Sequence, residues 1–128
     1  MLAYEEMTPG LILKNFPELK TEAEEEIAFW EPENVPPHCL FGNIFNEYLS
    51  GLLLAYQDLK MICRIFDFYE YLADEGDENV INLLQVTLLE YLWDDARIYY
   101  KAVSHMGEKT RKINAKIASY LAVPSQSA

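Results

Sequence analysis

The sequence predicts an all-α protein of six or seven short helices, arranged as stacked antiparallel hairpins. Apolar residues recur at spacings of three and four along almost the whole chain, which is the period of amphipathic helices. Capping residues and prolines divide this pattern into segments of about 8 to 18 residues. No part of the sequence alternates apolar and polar residues in the manner of a half-buried strand. Because 128 residues with a hydrophobic fraction of 51% can bury their own core, we expect a single helical domain spanning residues 1–128.

Prolines set the boundaries of the first two predicted helices. Thr8 and Pro9 suit the start of a short helix that ends before Pro17. Pro17 suits the start of a second helix with an apolar stripe on one face. The members of that stripe are Leu19, Ala23, Ile27 and Trp30. Three prolines between residues 31 and 38 then predict a loop.

Two further helices are predicted between residues 39 and 72. The inward stripe of the first consists of Leu40, Ile44, Phe45, Tyr48, Leu52 and Ala55. Asp58 is placed to cap the second, because an aspartate oxygen accepts hydrogen bonds from the first free N–H groups of a helix. The inward stripe of the second consists of Ile62, Ile65, Phe66, Tyr69 and Leu72. Phe68 and Tyr71 lie off this stripe and are either core residues of a second face or exposed aromatic anchors.

A fifth helix, capped by Asp77, is predicted from Glu78 to about Trp93. It is apolar around most of its circumference, which is typical of the most buried helix of a domain. If it continued, its buried stripe would include Asp95, and an unpaired carboxylate in a core costs several kcal/mol. We therefore predict a break after Trp93, with Asp94 or Asp95 capping a new helix.

The C-terminal part of the chain is predicted to hold one more helix. Gly107 suits the position just after the end of the preceding helix. The residues that the last helix turns inward are Ile113, Ile117, Tyr120 and Leu121. Residues 122–128 are expected to fray. Hairpins stacked in this order form an irregular bundle or a short HEAT-like solenoid.

The net charge of −11 is distributed unevenly along the chain. Residues 1–96 contain 20 acidic and 4 basic residues, whereas residues 97–128 contain 1 acidic and 6 basic residues. Phosphate binding requires clustered lysines and arginines, so a nucleic acid is not the expected ligand. A positively charged protein is the expected partner.

No targeting signal, membrane span or metal-binding motif is predicted. The first ten residues contain two glutamates and no basic segment, which argues against a signal peptide, and no apolar run approaches the roughly 18 residues of a membrane span. We expect a cytoplasmic protein. Cys39 and Cys63 lack the spacing of a metal site and are expected to be buried, reduced thiols.

The sequence contains no arrangement typical of catalysis or cofactor binding. Asp94 and Asp95 are adjacent, so on a helix their side chains would point about 100° apart. Glu90 and Asp94 have the four-residue spacing of a metal pair but no histidine or cysteine companion. Phosphate-binding loops and nucleophile motifs are also missing. We expect a protein that is not an enzyme and binds no cofactor.

Two acidic clusters are the candidate partner-binding residues. The first, on the second predicted helix, consists of Glu22, Glu25 and Glu26. The second, near the junction of the fourth and fifth helices, consists of Asp67, Glu70, Asp74 and Glu78. Negative charge near a helix C-terminus, and like charges four residues apart, each destabilise a helix by about 0.3 kcal/mol or more. Each cluster is either a solvated polar face or a surface whose counter-charge comes from a partner.

Two segments carry a resemblance to a known group of proteins. They are residues 40–49, LFGNIFNEYL, and residues 88–113, LLEYLWDDARIYYKAVSHMGEKTRKI. They resemble small, acidic, all-helical immunity proteins of bacterial contact-dependent inhibition and other polymorphic toxin systems. The similarity covers about the C-terminal two-thirds of the chain and is clearest at helix breaks and packing residues.

The resemblance implies a protein that neutralises a cognate toxin domain in the cell that makes both. Such toxin domains are often small basic nucleases, with ribonuclease the favoured activity. The immunity protein would occlude the active or substrate-binding site. Two alternatives remain open at this point: a helical adaptor unrelated to toxins, and a small hydrolase that uses carboxylates near Asp94.

Overall fold

Seven α-helices and no strand make up the regular structure of residues 1–125, the part of the chain that the computed structural model describes. The predicted all-α fold class is confirmed. In chain order the helices are α1 (Pro9–Asn15), α2 (Lys20–Trp30), α3 (Pro37–Ala55), α4 (Leu59–Glu75), α5 (Glu78–Leu83), α6 (Ala96–His105) and α7 (Glu108–Ile117). Short 3-10 turns precede α1 and α2, at Tyr4–Glu6 and Pro17–Leu19. None of the described helices combines the length and apolar character needed to cross a membrane.

The helical run after Asp77 changes its geometry along its length. It begins as α5, continues as a π-helical segment at Leu84–Leu89 and ends as a 3-10 segment at Glu90–Asp94. The predicted helix from Glu78 to about Trp93 is therefore present as a helical run, but only its first six residues are α-helical. It is as buried as predicted, with five leucines almost fully covered: Leu83, Leu84, Leu88, Leu89 and Leu92.

The three predicted aspartate caps are confirmed. The N–H of Met61 donates to Asp58 Oδ1 at 3.1 Å, and that of Val80 donates to Asp77 Oδ1 at 2.8 Å. Asp95 accepts from the N–H of Arg97 at 2.8 Å and so begins α6. The helical run ends where the sequence predicts it. At that point the Asp95 carboxylate accepts hydrogen bonds from free N–H groups and is kept out of the core.

One contiguous core joins α3 and α4 to the run that contains the π-helical segment. Its centre is aromatic: the rings of Phe16, Phe41, Phe45 and Phe68 lie with centroids 5.2 to 6.3 Å apart. The predicted α4 stripe is buried at every position. Phe68 is also buried, and Tyr71 is 42% exposed, so of the two off-stripe aromatics only Phe68 is a core residue.

The predicted stripe of α3 is correct only at its N-terminal end. Ala55 is exposed and Tyr48 and Leu52 are half-buried, whereas Leu49 and Leu53 are buried. The reason is that α3 contacts α2, α4, α6, the π-helical segment and the 3-10 segment that follows it, which gives it a broad buried face in place of a single stripe. The helix also begins two residues earlier than predicted, at Pro37.

The segment before α1 is held against the turn between α4 and α5. The N–H of Leu2 donates to the carbonyl of Glu75 at 2.6 Å, and the Leu2 carbonyl accepts from the N–H of Asp77 at 2.8 Å. The side chain of Asp77 also accepts from the N–H of Tyr4 at 2.9 Å. A Cβ at Gly76 would lie 2.5 Å from the Leu72 carbonyl oxygen and from Val80 Cγ1, so the turn between α4 and α5 requires glycine. The sequence did not predict this pairing.

One prediction near the C-terminus is correct in position, and another is wrong. Gly107 lies just after the end of α6, next to its C-cap Met106, but its backbone is extended, with φ −74° and ψ 174°, and it directly precedes α7. The last helix ends at Ile117, and Tyr120 and Leu121 are exposed, at 51% and 36%. Tyr120 instead donates its hydroxyl to Glu90 Oε2 at 2.5 Å.

The predicted frayed tail, residues 122–128, falls in part outside the described residues. In the described part the carbonyl of Pro124 accepts a hydrogen bond from the hydroxyl of Tyr100 at 2.7 Å. Residues 122–125 have no regular secondary structure, but this bond ties them to α6.

Candidate partner-binding surface

The second acidic cluster is built largely into the junction of α4 and α7. Glu70 Oε1 accepts from the N–H of Thr110 at 2.9 Å and from its hydroxyl at 2.8 Å, and Oε2 accepts from the N–H of Lys109 at 3.0 Å. Glu70 therefore caps the N-terminus of α7 from a different helix. The three atoms nearest to a Cβ built at Gly107 all belong to Glu70, the closest two at 2.5 Å. Glycine stands at residue 107 because the Glu70 carboxylate occupies the space that a larger residue would need.

The rest of this cluster divides between engaged and exposed carboxylates. Asp74 forms an ion pair with Lys109, which adds a second contact between α4 and α7. Asp67 and Glu78 are exposed and form no hydrogen bond or ion pair to another described side chain. Asp67 and Tyr71 are both exposed and line one groove, which Arg64 also lines.

The pKa directions agree with this division. Partial burial would raise the pKa of Glu70, but hydrogen bonds from the N–H groups of Thr110 and Lys109 and from the Thr110 hydroxyl outweigh it and hold the pKa below its ordinary value. The hydrogen bond from Lys109, supported by its charge, lowers the pKa of Asp74. Glu70 and Asp74 are thus stabilised as anions by the protein itself.

The first acidic cluster lies on a different kind of surface. Leu19 and Ala23 are buried and fix α2 against the body of the molecule, so the opposite face of α2 points to solvent. Glu22 and Glu25 are exposed there and have no hydrogen bond or ion pair to a described residue. The nearby cation, Lys20, lies 3.8 Å from Glu24, with both side chains more than half exposed. Such a pair contributes little, so the negative charge of this face is not compensated within the described chain.

A large aromatic side chain completes this face. Phe29 is 79% exposed, and its ring contacts Trp30 edge-on at a centroid distance of 5.9 Å. On a helix, residues 22, 25, 26 and 29 are related by steps of three and four, so Phe29 continues the row of glutamates. We call Glu22, Glu25, Glu26 and Phe29 together the α2 ridge. An exposed phenylalanine that ends a row of carboxylates is an unusual surface feature and has the character of an interface anchor.

Phe29 was missed in the sequence, although the signal was there. The apolar stripe of α2 ends at Ile27 and Trp30, and residue 29 lies about 100° from Trp30 and about 200° from Ile27 on the helical circle. Its register with Glu22 and Glu25 could have been read from the spacing alone. The apolar anchors that the sequence suggested, Phe68 and Tyr71, lie on another helix.

Glu26, the third glutamate of the α2 ridge, is hydrogen-bonded to a residue that lines a polar groove. Glu26 Oε2 accepts from the side-chain amide of Asn43 on α3, at 3.2 Å. Asn43 lines a groove between α3 and the π-helical segment, together with Asn46, Glu47 and Tyr91. This groove was not predicted, because its two walls are about 40 residues apart in the sequence.

The carboxylates near residue 94 have structural roles. Asp95 caps α6 and pairs with Arg97, whose Nη2 lies 2.7 Å from Oδ2. Glu90 accepts the hydroxyl of Tyr120, which holds the segment after α7 against the 3-10 segment. Among residues 1–125, no group of three or more histidine, cysteine, aspartate and glutamate side chains is arranged to hold a metal ion.

The fold and this surface define an all-helical protein with an acidic, uncompensated face that ends in an aromatic anchor. The chain belongs to the family described as a domain of unknown function (DUF7674), whose model matches residues 9–121. The matched region runs from the first residue of α1 to beyond α7, so it contains the whole α2 ridge. No curated protein matches the chain, and no solved structure does.

Proposed function

We propose that this protein is an immunity protein, which binds a basic toxin domain through the α2 ridge and blocks the toxin's active or substrate-binding site. The observation that supports the proposal is the ridge itself. Its glutamates repel one another, and no cation of the described chain compensates them. A positively charged partner supplies the missing charge, and Phe29 supplies an apolar contact that slows dissociation.

The proposed target is a nuclease domain, with ribonuclease favoured. Nucleases hold phosphate groups with lysine and arginine side chains, and the same side chains are attracted to glutamates. A row of carboxylates therefore competes directly for the groups that bind the substrate. In this proposed role the protein acts in the cytoplasm, needs no cofactor and catalyses no reaction itself.

The structure changes the order in which we propose the seven candidate residues. Glu22, Glu25 and Glu26 come first. Asp67 and Glu78 follow, because their oxygens are free to meet a partner. Glu70 and Asp74 are placed last, since their oxygens already bind the N-terminal turn of α7.

One observation favours a second candidate function, that of a helical adaptor unrelated to toxins. A groove of about 640 Å³ lies between the segment before α1 and the loop after α2. Its lining is mainly apolar and consists of Tyr4, Met7, Pro9, Ile27, Val35 and Pro37, with Glu5, Thr8, Glu33 and Asn34 among them. A groove of this kind suits an extended peptide with apolar side chains.

Growth rescue tests the first proposal against the second. The protein is co-expressed with the C-terminal domain of the protein encoded by the neighbouring reading frame, and colony formation is scored. We expect the wild-type protein to restore growth and the triple variant Glu22→Lys, Glu25→Lys, Glu26→Lys to fail. The matched control, Glu5→Lys, Glu33→Lys, Glu75→Lys, changes the net charge equally and should still restore growth. Rescue by the ridge variant together with failure of the control would move the toxin-binding site from the α2 ridge to the groove that Glu5 and Glu33 line. Absence of rescue by the wild type would remove the toxin proposal and favour the adaptor.

A further inference from the structure

The groove between α3 and the π-helical segment has an unusual set of polar groups. It has a volume of about 370 Å³, and its lining residues are His38, Gly42, Asn43, Asn46, Glu47, Thr87 and Tyr91. Gly42 allows the two walls to approach closely, because a Cβ there would lie 3.0 Å from Thr87 Cγ2. The hydroxyl of Thr87 is hydrogen-bonded to His38 Nδ1 at 2.5 Å, which joins the two walls.

Both asparagines donate a hydrogen bond through Nδ2. Asn43 Nδ2 donates to the Glu26 carboxylate at 3.2 Å, and Asn46 Nδ2 donates to the Thr87 carbonyl at 3.1 Å. Carboxylates and carbonyls only accept hydrogen bonds, so these contacts fix the nitrogen and oxygen ends of each amide. The Oδ1 atoms of both asparagines are left as acceptors with no donor among the described residues.

The remaining side chains add charge and an aromatic surface. Glu47 is exposed and has no hydrogen bond or ion pair to a described residue. The ring of Tyr91, 36% exposed, forms part of the wall. Beside the hydrogen-bonded pair of His38 and Thr87, the groove thus offers two amide oxygens, a carboxylate and the side of an aromatic ring. No lysine or arginine is among its described lining residues, so it suits a flat cation with several donors.

We propose that this groove binds a guanidinium group, the side chain of an arginine presented by the protein partner. Guanidinium is planar, carries five N–H donors and stacks on aromatic rings, so it can reach Asn43, Asn46 and Glu47 while lying against Tyr91. A lysine ammonium has three donors around a point and gains less from an aromatic wall. That the arginine belongs to a toxin domain rests on the proposed function; that the groove binds guanidinium does not.

The position of the groove fits the same partner as the α2 ridge. Asn43 lines the groove and holds Glu26, which is a member of the ridge. An arginine in the groove would therefore lie beside a second carboxylate, and a basic surface approaching the ridge would have one side chain anchored between α3 and the π-helical segment. Such a desolvated arginine is a typical interface hot spot.

A titration with small probes tests this inference without any partner protein. Nα-acetyl-arginine methylamide is added to uniformly 15N-labelled protein above neutral pH, and the side-chain amide signals of Asn43 and Asn46 are followed by NMR. We expect saturable shifts confined to the groove. The lysine analogue should bind at least about fivefold more weakly, because it loses one to two charge-assisted hydrogen bonds. The citrulline analogue, which has the same shape and no charge, should give no saturation.

Two variants and a matched control complete the test. Glu47→Gln keeps the shape of the groove and removes its charge, and Tyr91→Leu removes the aromatic wall; each should weaken the arginine analogue at least about threefold. Glu5→Gln removes one exposed carboxylate elsewhere and should leave the affinity unchanged. Equal shifts with arginine, lysine and citrulline analogues, shifts spread over the acidic surface, or unchanged affinity in both groove variants would overturn the proposal. A saturable arginine site in a protein that fails to rescue growth would support the guanidinium site and contradict the proposed toxin-neutralising function.

Discussion

At the scale of single residues, the position of a carboxylate decides whether it belongs to the fold or to a surface. Glu70 and Glu25 look alike in the sequence, as members of acidic runs on helices. Glu70 accepts three hydrogen bonds at the start of α7, whereas Glu25 meets no described partner. Composition counts both as negative charge, but only Glu25 is free to attract a cation.

The pairing of Glu70 with Gly107 gives a prediction at this scale. Glu70→Ala should destabilise the protein by about 1–2 kcal/mol, because two N–H groups of α7 lose their acceptor. Gly107→Ala should cost a similar amount, since the new Cβ displaces the same carboxylate. In the Glu70→Ala background, Gly107→Ala should instead be neutral or stabilising by a few tenths of a kcal/mol, because alanine adopts this extended backbone and loses less entropy on folding.

Urea denaturation of the four proteins measures this double-mutant cycle. A coupling energy near zero, with Gly107→Ala equally harmful in both backgrounds, would contradict the cap. The steric reason for glycine at residue 107 could not be predicted from the sequence. The side chain that requires it, Glu70, is 37 residues away on a different helix, and no local pattern reveals such a contact.

At the scale of elements, the sequence predicted the features that depend on a single helix, namely its caps and its regular buried stripe. The caps of α4, α5 and α6 depend on residues next to the helix, and all three were found. The α4 stripe was right because α4 turns one regular face to the core. The stripe of α3 was only partly right, since five neighbouring elements determine which of its faces are buried.

The candidate site divides in the same way. The glutamates of the α2 ridge were predictable from a single helix, and Phe29 could have been. The groove was not predictable, because it depends on Asn46 and Thr87 meeting across 41 positions of sequence. The π-helical geometry of Leu84–Leu89 has no local signal that we can identify.

The junction of α4 and α7 gives a prediction about acid. The pKa values of Glu70 and Asp74 are lowered in the folded protein, so the unfolded chain binds more protons as the pH falls through the ordinary values of 4.5 and 3.8. Their stabilising contribution is complete above those values and is lost as the pH falls toward the lowered values. Stability should therefore drop below about pH 4.5.

Urea midpoints measured by circular dichroism between neutral pH and pH 3 check this expectation. The double variant Glu70→Gln, Asp74→Asn should be less stable at neutral pH and should lose less stability in acid than the wild type. The control Glu22→Gln, Glu25→Gln leaves the junction intact and should still lose stability in acid. Parallel acid profiles for the junction variant and the wild type would show that this junction does not carry the effect.

At the scale of the whole molecule, the acidic residues fall into two groups. Those at the junction of α4 and α7 bind basic or N–H groups of the protein itself, and those of the α2 ridge have no cation of the described chain paired with them. The basic C-terminal region supplies Lys109, which pairs with Asp74 on α4, and the N–H groups that bind Glu70. The basic residues of this region do not reach α2 in any described ion pair. The molecule therefore retains an acidic ridge that its own cations do not neutralise, and a cationic partner is attracted to that side.

The association rate of the toxin domain that we propose as the partner, measured by stopped-flow at several salt concentrations, tests this claim most directly. For the wild-type protein we expect a fast rate that falls steeply with added salt. The variant Glu22→Lys, Glu25→Lys, Glu26→Lys should associate at least about tenfold more slowly at low salt and show a weaker salt dependence, with unchanged helical circular dichroism. The equally charged control Glu5→Lys, Glu33→Lys, Glu75→Lys should lose much less. Identical rates and salt dependence for the wild type and the ridge variant would contradict the account.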